Sequence, residues 1–270
     1  MIPFVKMQGL GNDFVVLDAL RGDLPSFDPI TLSQAVCDRR RGVGGDGLLV
    51  LERGDDAPFR MRMWNPDGSE SEMCGNGLRC VAALLRDRNY ASGESDIETG
   101  AGVLHAGYVN DLVSIDMGIA RLERGEIGMS GEPTERFVEA DLGDGTLGTA
   151  VSMGNPHFVL FVANAETIPL ESRGRELEVH PLFPHRTNVH FAQVLSPHEV
   201  KVRVWERGAG ATLACGTGAC AVAVAGVETG RLARRSVVHL PGGPLTIEVA
   251  EDRRVTMTGP AVTVFDGVFG

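Results

Sequence analysis

The sequence predicts a mixed α/β protein of two related lobes in which strands outnumber helices. Three observations carry that prediction. First, Arg62-Met63-Trp64 is answered by Arg203-Val204-Trp205, and Cys74-Gly75-Asn76-Gly77 by Cys215-Gly216-Thr217-Gly218, each 141 positions later. Second, fainter echoes extend the repeat: Gly11-Asn12-Asp13-Phe14 matches Gly154-Asn155-Pro156-His157-Phe158, and Gly118 matches Gly259. Third, each half places a strand pattern before its cysteine and a helical pattern after it. A long period present only twice indicates duplicated domains, because a solenoid needs several short repeats to bury its core. The expected lobes are residues 1–118, completed by 260–270, and residues 119–259.

Phe14 to Leu17 is an apolar run of strand length, and a helix is expected near Thr31 to Arg40. Leu48 to Leu51 reads as a strand, and Phe59 to Trp64 alternates apolar and basic residues, the period of a half-buried strand. Asn65-Pro66-Asp67-Gly68-Ser69 has turn chemistry, since proline presets one dihedral and Asp-Gly tolerates a tight bend. From Leu78 to Asp87 the apolar residues recur at helical spacing. The second half repeats the plan with a strand at Val200 to Trp205, a glycine-rich loop, and an Ala/Val-rich helix from Ala219 to Glu228. Val113 to Met117 and Leu245 to Val249 add strands. Gly125 to Gly131 and Gly143-Asp144-Gly145 are expected to be surface loops.

Hydrophobic residues make up 43% and charged residues 23% of the 270, which is ordinary for a globular chain. A net charge of −11 without a basic run argues against nucleic acid and favours a small substrate. The first residues lack the charged start and apolar core of a signal peptide, and no apolar run reaches transmembrane length, so a cytoplasmic location without a membrane partner is expected. Five cysteines in a reducing compartment disfavour a disulfide framework.

Gly42-Val43-Gly44-Gly45-Asp46-Gly47 matches the dinucleotide fingerprint in letters but not in context. That motif follows a strand and opens a helix, whereas this one follows a helix and enters a strand. A glycine-rich turn is the better reading. The two Cys-Gly-x-Gly segments lie between strand and helix, so each cysteine is expected at a helix N-terminus. There the unpaired N–H groups and the dipole favour a thiolate and can hold a carboxylate. A single cysteine in such a place is more often a small core residue; two in matching contexts favour function. If the lobes face each other, the sulfurs flank one cleft, suiting a reaction in which a proton leaves one face of a carbon and arrives on the other.

A disulfide between Cys74 and Cys80 is disfavoured, because six helical residues rise roughly 9 Å and a bridge spans about 7 Å. The same holds for Cys215 and Cys220, leaving Cys37, Cys80 and Cys220 as packing residues. His180, His185, His190 and His198 lack the close-spaced cysteine partners of a zinc site and read as exposed loop histidines, so no metal is expected. His157 lies within the repeat, where packing and function are equally open. Glu206 and Arg207 replace Asn65 and Pro66 of the first half, which points to a role on one side only.

The order Asn65-Pro66-Asp67-Gly68-Ser69, Cys74-Gly75-Asn76-Gly77-Leu78-Arg79, Gly154-Asn155-Pro156-His157, Arg186-Thr187-Asn188-Val189, Glu206-Arg207-Gly208-Ala209-Gly210 and Cys215-Gly216-Thr217-Gly218 resembles the diaminopimelate epimerases. The likeness is reinforced by Gly9-Leu10-Gly11-Asn12-Asp13-Phe14 and Pro241-Gly242-Gly243, and so runs through nearly the whole chain. The resemblance implies two pseudosymmetric α/β lobes, each a largely antiparallel sheet wrapped around a central helix, with the site between them. It implies Cys74 and Cys215 as the acid/base pair, with His157 and Glu206 tuning their protonation. Asn12, Asn65, Asn155, Asn188, Glu206 and Arg207 would bind substrate, and the backbones of Gly75, Asn76, Gly216 and Thr217 would grip the reacting carboxylate. No cofactor is implied, and a homodimer is. Gly47 stands where some members carry glutamine, Ala211 where they carry glutamate, and Phe265 where some place an interface tyrosine.

The expected activity is therefore cofactor-independent conversion of LL-2,6-diaminopimelate to the meso form. A racemase of another amino acid with the same architecture is the nearest alternative, and an amino-acid-binding or redox-responsive protein is the alternative from another class.

Overall fold

Side-chain alternation sets the strands. In Phe59–Trp64 the residues Phe59, Met61 and Met63 are buried while Arg60 and Arg62 are half-buried, the two faces the sequence pattern implies. The computed structural model describes all of residues 1–270 and divides them into two units. One comprises Met1–Asp116 with Thr258–Gly270, the other Met117–Met257.

In the first unit, Ile2–Gly9 pairs antiparallel with both Val262–Phe269 and Asn12–Asp18. Asn12–Asp18 then runs parallel to Gly47–Glu52, which is antiparallel to Phe59–Trp64. Phe59–Trp64 lies parallel to Ser95–Thr99, and the antiparallel strand Gly102–Val109 follows.

The second unit repeats this pattern. Leu147–Ser152 and Pro156–Phe161 form a hairpin, Pro156–Phe161 is parallel to Asn188–Ser196, and Asn188–Ser196 is antiparallel to Glu199–Glu206. Arg235–Leu240 lies parallel to Glu199–Glu206 and antiparallel to Gly243–Val249. The duplication extends to register. Leu48 opposite Trp64 and Phe59 opposite Ile97 become Val189 opposite Trp205 and Val200 opposite Val238, every residue shifted by 141.

Helix α1 (Pro29–Val36) lies earlier than the expected Thr31 to Arg40. Asp28 caps it by accepting from the Thr31 N–H at 3.0 Å, and Pro29 occupies the first turn, where its missing donor costs nothing. It stops early because Gly44 and Gly45 donate to the carbonyls of Val36 and Cys37 at 2.8 and 3.2 Å, closing the last turn. The glycine run is thus a turn into the strand Gly47–Glu52.

Helix α2 (Gly75–Asp87) begins directly after Cys74, three residues before the expected start, and every residue from Gly75 to Leu85 is buried. It packs against Ile2–Gly9, Asn12–Asp18, Gly47–Glu52, Gly102–Val109 and Val262–Phe269, so the sheet wraps around it. Burial of Leu78, Val81, Leu84 and Leu85 stabilises this arrangement by about 1.5–3 kcal/mol each.

A short helix α3 (Arg124–Ile127) occupies part of the stretch expected to be a loop. Helix α4 (Leu170–Glu178) was not legible from periodicity; it buries Leu170, Gly174 and Leu177, and a Cβ on Gly174 would lie 2.5 Å from the Trp205 ring. Helix α5 (Gly216–Glu228) is the second unit's central helix, in contact with five of its strands. Trp64 and Trp205 each belong to the apolar core of their own unit. No helix is long and apolar enough to cross a membrane.

Candidate active site

Cys74 and Cys215 occupy the same structural position. Each is the extended residue that caps a buried central helix, with φ/ψ of −142°/114° and −125°/107°. Their carbonyls accept the first helical hydrogen bonds, from Leu78 at 2.8 Å and Ala219 at 2.9 Å. First-turn N–H groups have no acceptor within their own helix, and Gly75, Asn76, Gly216 and Thr217 occupy these first turns.

In the first unit the Cys74 Sγ lies 3.8 Å from Asn12 Oδ1, which also accepts from Asn76 Nδ2 at 3.0 Å. The Asn12 amide donates to Asp46 Oδ2 at 2.7 Å, and the same oxygen accepts from the Asp13 N–H at 3.1 Å. Arg39 binds both Asp13 and Asp46, and the Lys6 ammonium binds Asp13 and the Gly44 carbonyl. The structure thus brings Asn12, Cys74 and Asn76 together on a charged scaffold. Asn65 instead bonds within its own turn, to Ser69 Oγ at 3.0 Å.

In the second unit Cys215 is buried, and its Sγ accepts from the Gly218 N–H at 3.3 Å, with Thr217 Oγ1 3.6 Å away. The Asn155 amide donates to Thr217 Oγ1 at 3.5 Å, and its Oδ1 lies 2.9 Å from His157 Nε2. Glu206 accepts from Thr212 Oγ1 at 2.5 Å. Burial first, and the Glu206 carboxylate second, raise the Cys215 thiol well above its ordinary range, outweighing the Thr217 and Gly218 donors. That shift favours the thiol form of Cys215, and the Glu206 side chain lies beside it.

Asn188 is buried and spends its amide on the backbone, accepting from Arg207 N and donating to the Pro156 carbonyl, both at 2.9 Å. Arg207 donates to the His185 carbonyl at 3.1 Å. Two buried groups went unrecognised in the sequence. Glu178 receives the Trp205 indole N–H at 2.8 Å and the Gly208 N–H at 3.0 Å, holding the loop that carries Glu206 and Arg207. His190 is the second. It is fully buried in the strand Asn188–Ser196 and lies 2.8 Å from His157, a correction to its reading as an exposed loop residue. Its signal was its place two residues after Asn188, on the same strand face. His185 and His198 are exposed, as expected, and His180 is partly so.

A family model described as diaminopimelate epimerase matches residues 4–123 and 149–264. The chain is 54% identical to the diaminopimelate epimerase of Desulforudis audaxviator and 50% identical to that of Moorella thermoacetica, covering 98% of each chain in both cases. Among solved structures, a phenazine biosynthesis protein of the PhzF family from Bacillus anthracis superposes with a TM-score of 0.71 at 16% identity, covering 99% of both chains. A predicted epimerase from Pseudomonas aeruginosa does so with 0.68 at 21%, covering 99% of this chain and 98% of that one. These structural likenesses establish the duplicated α/β fold.

Proposed function

The chain belongs to the diaminopimelate epimerase family, and from that membership we infer the reaction and propose its agents. The enzyme is an amino-acid isomerase that epimerises LL-2,6-diaminopimelate to the meso form without a cofactor, a step in making lysine and peptidoglycan precursors. In our proposal Cys74 and Cys215 are the two proton-transfer groups. The observation that carries this is their equivalence: each caps a buried helix at positions related by the duplication.

Burial holds Cys215 toward the thiol form, which suits it to the role of acid while Cys74 acts as base. Cys74, as thiolate, takes the α-proton; the electron pair left on the α-carbon delocalises into the carboxylate; and the Cys215 thiol delivers its proton to the opposite face. Atoms balance, and the enzyme ends with the proton on Cys74, ready for the reverse reaction. Unperturbed cysteine has a pKa of about 8.5, far below that of an α-hydrogen, so the step needs help. The backbones of Gly75, Asn76, Gly216 and Thr217 supply it by gripping the carboxylate where charge builds up. Asn12, Asn65, Asn155 and Asn188 position the substrate, Glu206 takes the distal ammonium, and Arg207 takes the distal carboxylate in a bidentate pair. His157 and Glu206 tune the sulfurs.

A homodimer is part of this reading. The strand Val262–Phe269 exposes Val262, Val264, Phe265 and Val268, apolar side chains suited to contact with a second copy. Light scattering during gel filtration tests it. A cytoplasmic location suits thiols that must stay reduced. The role of the cysteines is tested by chiral chromatography of products from Cys74→Ala and Cys215→Ala, each expected to lose epimerisation while Cys37→Ala retains it. Turnover near the wild-type rate by either of the first two would refute the assignment.

A further inference from the structure

We propose that His190 is a positioning residue for His157: its Nε2–H donates to His157 Nδ1, which fixes the His157 proton on Nε2 and directs it through Asn155 toward Thr217 and Cys215. This rests on the reading of Cys215 as a proton-transfer group.

The two rings lie 2.8 Å apart, nitrogen to nitrogen, and both are fully buried. Only one proton can occupy that hydrogen bond. Its direction follows from the other ends of the chain. With His190 as donor, His157 Nε2–H donates to Asn155 Oδ1, the Asn155 amide donates to Thr217 Oγ1, and the Thr217 hydroxyl is left to donate to the Cys215 sulfur. The free nitrogen is then His190 Nδ1, a buried lone pair without a partner. The reverse arrangement would leave a buried, unpaired N–H at that same nitrogen, and an orphaned buried donor is the rarer state in native proteins.

Packing holds the His190 ring in place. A Cβ on Gly218 would lie 2.3 Å from its Cε1 and 3.0 Å from the Cys215 sulfur, so the ring presses on the first turn of α5. Burial keeps both imidazoles neutral, pushing His190 down to about 3 and His157 well below its ordinary range, so the chain works through oriented dipoles and not through a stored cation. As Cys215 gives up its proton, every donor in the chain already points toward the sulfur.

The test compares wild type with His190→Met and His190→Gln in protein carrying ¹⁵N-labelled histidine. Glutamine keeps an N–H donor at about the same reach; methionine fills a similar volume and has none. Long-range ¹H–¹⁵N spectra report which ring nitrogen carries the proton, and the His157 signals are identified by their absence in His157→Asn. We expect the Nε2–H tautomer in wild type and in His190→Gln. In His190→Met that preference is lost and kcat with LL-diaminopimelate drops on the order of 10-fold, more than KM changes. An Nδ1–H tautomer in wild type, a His190→Met protein that retains both the Nε2–H signal and full kcat, or a glutamine that fails to restore them would overturn the proposal. Should His190→Met not fold, the wild-type tautomer and the glutamine variant still decide it. Absence of turnover by wild type would count against the reaction alone, since the tautomer is read without substrate.

Discussion

Glu178 and Trp205 are joined by a buried hydrogen bond of 2.8 Å from the indole Nε1 to Oε2, and the other carboxylate oxygen accepts from the Gly208 backbone at 3.0 Å. One side chain at the end of α4 therefore ties a core tryptophan to the loop bearing Glu206 and Arg207. Replacing Glu178 with alanine strands the buried Trp205 indole N–H, at a cost of about 1–3 kcal/mol, and releases the exposed Gly208 backbone N–H to solvent. Urea denaturation of Glu178→Ala should show a loss of that order, and KM should rise more than kcat falls. An unchanged denaturation midpoint would contradict this role.

The buried histidine pair predicts how stability depends on pH. His157 and His190 are held neutral in the folded state, by burial first, so both have depressed values. Below the ordinary histidine pKa of about 6.5 the unfolded chain binds protons that the folded chain refuses, so stability falls as pH drops, by up to about 1.4 kcal/mol per pH unit for each ring. His105 works in the other direction because hydrogen bonding to Asp96 raises it, but it is exposed and its contribution is small. Denaturation between about pH 7 and 5 should show the decline, and His190→Gln should roughly halve its slope. A flat profile would contradict the buried neutral pair.

Gly218 has no room for a side chain. The ring of His190 and the Cys215 sulfur fill the space a methyl group would take, at 2.3 and 3.0 Å. Gly218→Ala should cost about 1–3 kcal/mol through overpacking and remove most of the activity. A variant with native stability and turnover would show that the ring moves aside freely.

Cysteine reactivity should separate one thiol from the rest. Cys74 is partly exposed and the other four are buried. Burial also pushes Cys37 up to about 11 and Cys80 to about 12, leaving almost no thiolate at neutral pH. Mass spectrometry of the native protein after brief alkylation should therefore find Cys74 modified first, with Cys37 and Cys80 untouched. Faster labelling of either buried thiol would contradict the burial pattern.

Much of this was legible in the sequence because the duplication leaves matching residues at a constant interval. Trp64 and Trp205 mark equivalent registers, and Cys-Gly-x-Gly marks both helix starts, although glycine-rich first turns carry no apolar periodicity and so hid the first turn of α2 and α5. Helix α4 escaped because its buried face is made of two leucines and a glycine that fits against Trp205, a long-range contact that local pattern cannot show. Glu178 and His190 escaped for a related reason. A charged or titratable residue reads as exposed until the partner that satisfies it is known, and both partners, Trp205 and His157, lie 27 and 33 residues away.

Isotope exchange tests the central claim, that two sulfurs handle one α-proton each. LL-diaminopimelate is incubated in deuterated water with wild type, Cys74→Ala and Cys215→Ala, and the α-hydrogens are followed by NMR and mass spectrometry. Wild type should yield meso product carrying one deuterium at the inverted centre, because the proton removed by Cys74 is not the one delivered by Cys215. Each alanine variant should leave the configuration unchanged. Meso product that retains the original α-hydrogen, or inversion by either single variant at the wild-type rate, would contradict the two-sulfur account.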